Sequence, residues 1–140
     1  MSEPSRPRRL GRSATALLAG FVVGVVLSLG TDIVLHATGV FPPWGRPMSD
    51  SLFALATAYR TVYNVVACYV IARLAPDRPM RHALIGGAVG VVVSLLGAAA
   101  TWNNPDFGPH WYPLALAISS LPCAWLGGRL FERRITTQPV

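Results

Sequence analysis

Lysine is absent from this 140-residue chain, so all twelve of its basic side chains are arginines, and only six acids stand against them. Charged residues make up 13% of the sequence, about half the roughly 25% of an ordinary soluble domain. That scarcity excludes a solvated globular surface of the usual kind. Two cysteines, Cys68 and Cys123, are too few and too far apart for a disulfide framework or a paired-thiolate metal site. Both read as small buried apolar residues. No catalytic, nucleotide-binding or metal motif rises above background, and no serine, cysteine or acid stands at motif spacing to a histidine. The chain is therefore expected not to be an enzyme and to carry neither cofactor nor metal.

What the sequence has instead is long apolar runs. Hydrophobic residues reach 52%, gathered in four stretches of about bilayer length rather than at the alternating or 3.6-residue spacing of a soluble core. They lie approximately at 14–36, 51–74, 82–102 and 112–128. About 20 residues at 1.5 Å rise cross a 30 Å hydrocarbon core. Segments rich in Pro, Gly and Asn separate the runs, at 41–45, 75–79 and 103–109, and read as short loops. Unpaired backbone groups find no water in lipid, so helices are the expected form. The fold class is an all-α integral membrane protein, an antiparallel four-helix bundle over residues 14–131. A basic arm (1–13) precedes it and a short tail (132–140) follows.

Arginine sets the expected orientation. Arg6, Arg8, Arg9 and Arg12 lie in the arm, Arg73, Arg78 and Arg81 around the second loop, and Arg129, Arg133 and Arg134 at the far end. The first loop holds only Arg46 and the third none. Positive-inside bias then puts both termini and the second loop in the cytoplasm of a bacterial inner-membrane protein. Trp44, Trp102, Trp111 and Tyr112 gather at the outer interface. The net charge of +6 is spread over membrane-adjacent flanks, which suits anionic headgroups at about 1 kcal/mol per basic residue and not nucleic acid. A cleavable leader ending near Ser28-Leu29-Gly30 competes for the first run; its length favours a retained span.

Two features within the runs point inward. The first carries small residues at four-residue steps, Ala16, Gly20, Gly24 and Ser28, continuing to Asp32 and His36. The third carries Gly86, Gly90, Ser94 and Ala98. Residues four apart share a helix face, and small residues let membrane helices pack closely. These stripes serve either packing within the bundle or an interface between copies. The second run holds Arg60 about nine residues from its start, roughly 13 Å deep at helical rise. An arginine there is costly unless paired. Thr57, Tyr63 and Asn64 share its face, and Thr61 and Tyr59 lie beside it.

The partner expected for Arg60 is Asp32, with His36, Tyr63 and Asn64 completing an intramembrane polar cluster. That cluster is either a structural ion pair joining the first two helices or an outward-open site for a proton or an anion. A metal held by Asp32, His36 and His110 is disfavoured by the cation beside it. Pro122 is expected to kink the fourth helix near 117–118, with Ser119 and Ser120 serving the freed carbonyls. Three function classes follow: an accessory or interaction protein with a membrane-protein partner, a small oligomeric transporter of a solute, ion or proton, and a lipid-modifying enzyme using His36 or His110. The first is the principal expectation.

Overall fold

The computed structural model describes residues 6–138. Four helices account for most of them: α1 (Arg6–Ala37), α2 (Asp50–Leu74), α3 (Pro79–Thr101) and α4 (Trp111–Thr136), with a short 3₁₀ turn at Pro105–Phe107. Among the described residues α1, α3 and α4 are long and apolar enough to cross a membrane. At 25 residues α2 is as long, but its middle carries Thr57, Tyr59, Arg60, Thr61, Tyr63 and Asn64.

Helix limits extend the expected spans. Helix α1 takes in the described part of the arm from Arg6, and α4 runs through Pro122 to Thr136. Ser119 and Ser120 both donate to the Leu116 carbonyl, at 3.1 and 2.8 Å. They therefore do not serve the Ile118 carbonyl that a proline at 122 would free. The turn signals act where the sequence places them. Pro79 opens α3, where its missing N–H is one of the orphan donors anyway. Asp50 sits in the first turn of α2, complementing the helix dipole. Gly108 has φ +101°, and a Cβ there would enter the Phe53 ring, so the loop before α4 seats on α2 only because this residue is glycine.

The polar helix is the central one. Helix α2 packs against α1, α3 and α4, whereas α1 has only a small contact with α3. Gly20 of α1 faces Ala67 and Ile71, while Asp32 faces Tyr59 and Arg60. That register makes α1 and α2 antiparallel. Gly90 against Ser120, and Gly128 against Ala83, make α3 and α4 antiparallel too.

Small residues hold the bundle. Cys68, Ala72, Ala83 and Ala124 form its buried centre. A Cβ on Gly127 would lie 2.6 Å from the Val65 carbonyl oxygen and 2.8 Å from the Tyr69 nitrogen. The backbones of α2 and α4 meet there with no room for a side chain. Such close approach is how membrane helices associate without a hydrophobic driving force. Of the expected packing residues, Gly20, Gly24, Gly86 and Gly90 each face a neighbouring helix. Gly87, Gly127 and Gly128 do so as well and were not among those expected.

Candidate functional site

Asp32 is 7% exposed, and both of its carboxylate oxygens are engaged. Arg60 Nη2 donates to Oδ2 at 2.5 Å, and the Tyr59 hydroxyl donates to Oδ1. The other terminal nitrogen of Arg60, Nη1, donates to the Tyr112 hydroxyl. The guanidinium carbon also lies 5.9 Å from the Tyr59 ring centre and 5.7 Å from that of Tyr112, close enough for attraction to both ring faces. Charge-assisted bonds of this kind are roughly twice as strong as neutral ones. Here they join α1, α2 and α4 through a single guanidinium.

The other expected members lie around this knot in different ways. Tyr63 makes a 2.7 Å bond with Thr31, whose own proton goes to the Leu27 carbonyl at 2.9 Å. Tyr63 is therefore the donor, and it ties α2 to α1 one turn from the ion pair. Asn64 Nδ2 donates to Ser120 Oγ at 3.4 Å, linking α2 to α4. His36 turns away from the carboxylate. Its Nδ1 bonds the Asp32 backbone carbonyl at 2.7 Å, and its ring stacks on Trp44 at 3.6 Å. The carboxylate is instead bonded by Tyr59 and Arg60. His110 also leaves the cluster, stacking on Trp102 at 4.0 Å and bonding its carbonyl at 2.7 Å. Among the described residues no three His, Cys, Asp or Glu side chains converge as metal ligands do.

Beside the ion pair runs an open crevice of about 400 Å³ between α1 and α3, floored by α2 and α4. Arg60, Tyr63 and Asn64 line it toward one end, with Ser28 and Ser94 across from them. Gly20, Ala67, Ile71 and Gly86 line it toward the other. The two walls close at that apolar end. Leu17 approaches Gly86, and His82 Nε2 meets Ser13 Oγ at 2.8 Å. The serines at 28 and 94 line the crevice, as do Gly20, Gly24, Gly86 and Gly90 of the same stripes. Arg60 Nε is buried, with no hydrogen-bond partner among the described residues.

Compared with known proteins, the chain matches no family model, no curated protein and no solved structure. The functional argument therefore rests on this geometry.

Proposed function

We propose that this chain is a four-span protein of a bacterial inner membrane, its termini and α2–α3 loop cytoplasmic, acting as an accessory or interaction protein of another membrane protein. Three helices apolar enough to cross support the membrane setting. The central position of α2 supports its being the fourth span, because its polar residues spend their bonds on α1 and α4 rather than facing lipid. The distribution of arginines supports the orientation.

The carrying observation is that the Asp32 carboxylate is closed by Tyr59 and Arg60, and Arg60 in turn by Tyr112. A carboxylate that exchanges a proton or an ion must release its partners in each cycle. Release here would undo both side-chain bonds by which Asp32 ties α1 to α2 and would leave the guanidinium that joins α2 to α4 without its counter-ion. The pair thus supports a structural lock within a small, rigid body that presents apolar helix faces outward. On α1 those faces include Leu18, Phe21, Val22, Val26, Ile33 and Val34, all exposed in the isolated chain. They suit a neighbouring helix as well as lipid.

The test is the mass of the particle extracted from native membranes in mild detergent. A stoichiometric foreign subunit is the expected result. A lone chain or a pure homo-oligomer would overturn the accessory reading. A transporter is the second reading, favoured by the exposure of Arg60 to the crevice. It requires flux that is lost in Asp32→Asn while the fold survives.

A further inference from the structure

The crevice between α1 and α3 is built asymmetrically, and that asymmetry says what fits it. Its volume of about 400 Å³ lies in the 300–1,000 Å³ range of small-molecule sites. From Ile71 to Arg60 the floor runs eleven residues along α2, about 16 Å at helical rise. The Ile71 end is lined by alkyl groups and glycines, and the Arg60 end by an amide, a phenol, hydroxyls and a guanidinium.

In a bilayer the tail of an amphiphile gains little by leaving one hydrocarbon environment for another, so selection falls to the polar end. There, the Arg60 side chain lines the recess and is 29% exposed, and Asn64 holds Ser120 only at 3.4 Å. The recess offers donors but little net charge, because Asp32 sits 2.5 Å from the guanidinium and cancels it. An anionic head would therefore find little net positive charge to hold it. A neutral head bearing ester, ketone or hydroxyl oxygens can accept from the N–H groups of Arg60 and Asn64 that line the recess.

The geometry points to a binding site for a neutral single-tailed lipid, its acceptor head against the exposed part of the Arg60 guanidinium and Asn64 and its tail lying toward Gly20 and Gly86. This goes beyond the accessory role and shares with it only the membrane-embedded placement of the bundle.

The experiment uses the full chain in phosphatidylcholine nanodiscs with a monoacylglycerol carrying a diazirine in its tail. Photolabelling is expected to map to residues 20–29 of α1 and 86–94 of α3. Excess unlabelled monoacylglycerol should suppress it at least fivefold, and the fatty acid of equal chain length should not. Gly24→Leu should also reduce it at least fivefold. Gly24 lines the crevice, and a Cβ there meets only Ala67 Cβ, at an ordinary 3.5 Å, so the first atom of the added side chain is accommodated. Ser94→Leu on the opposite wall serves as a second obstruction should the first variant misfold.

Labelling spread over all outward faces without competition would overturn the proposal. So would equal competition by the fatty acid, labelling unchanged in both obstructed variants, or cross-links from the crevice to a second copy of the chain. Absence of the chain from the membrane fraction is a separate result. It would remove the embedded placement itself, before any labelling is done.

Discussion

Neutralising Asp32 should cost the bundle more than any other single-atom change. Asp32→Asn keeps the side chain's shape and one acceptor oxygen but deletes the charge. It leaves the Arg60 guanidinium without its counter-ion and forces an amide N–H₂ against either Arg60 or the Tyr59 hydroxyl, both of which donate to this side chain. A hydrogen bond to a charged group is worth about 1.5–3 kcal/mol, and stranding one member of a buried pair costs about 3–5 kcal/mol. The Arg60 side chain is 29% exposed and that of Asp32 only 10%, so part of the stranded charge reaches solvent or headgroups. The expected loss is about 2–4 kcal/mol.

Arg60→Gln should lose a similar amount, since it strands the more buried partner and also frees Tyr112. The double variant should lose less than the sum, with a coupling of about 1–3 kcal/mol, because its second change removes a charge that has already lost its partner. Reversible unfolding of the purified protein in mixed micelles, titrated with a denaturing detergent, measures all four corners of the cycle. Losses below about 0.5 kcal/mol in both single variants, or strict additivity in the double, would refute the lock.

Five further outcomes are expected. Tyr112→Phe removes one acceptor from Arg60 and should cost about 1–2 kcal/mol in the same titration, with Trp111→Phe as a near-neutral control. Gly127→Ala places a Cβ against the backbone of Val65 and Tyr69 and should cost about 1–3 kcal/mol. Gly30→Ala, with open space around its Cβ, should be neutral or gain up to about 1 kcal/mol. Gly108→Ala combines a positive φ with a collision at Phe53 and should cost at least about 1–2 kcal/mol, read as earlier protease cleavage of the loop before α4. For orientation, Trp44→Cys and Asn104→Cys should react with an impermeant maleimide on intact cells, and Asp77→Cys only after permeabilisation; the reverse pattern would invert the topology.

The pairing of Asp32 with Arg60 is legible in the sequence because each is too costly alone in an apolar run, and a short loop brings their helices together. The remaining partners are not, because helix rotation is set by contacts that periodicity does not report. Tyr59 and His36 both lie within reach of the carboxylate by spacing. The carboxylate takes Tyr59, and His36 stacks instead on Trp44, which a loop carries over the imidazole. Tyr112 reads as one of several interfacial aromatics, yet its hydroxyl reaches Arg60 across the bundle. The small-residue ladders show the same limit. Gly20 and Gly86 meet other helices and, with Ser28 and Ser94 on the same stripes, also line the crevice. The ladder Ser120, Ala124, Gly128 on α4 was equally visible, and it packs α4 against α3.

The lock and the crevice have one cause. On the four-span reading, six polar or charged residues in the middle of α2 disfavour its facing lipid with that side, and α2 packs against the other three helices. Three helices do not enclose a fourth completely at 8–10 Å spacing. Here α3 and α4 pack tightly through Gly87 and Gly128, and α1 is held to α2 by the ion pair near one end and Gly20 near the other. The gap therefore falls between α1 and α3, directly over the polar stripe of α2 that runs from Arg60 to Asn64. Bulk added on either glycine wall should close that gap without touching the ion pair, whereas loss of the ion pair should release α1 and widen it. The two classes of variant ought therefore to separate: Gly24→Leu retains unfolding stability and blocks the crevice, while Asp32→Asn loses stability and leaves the crevice walls free to part.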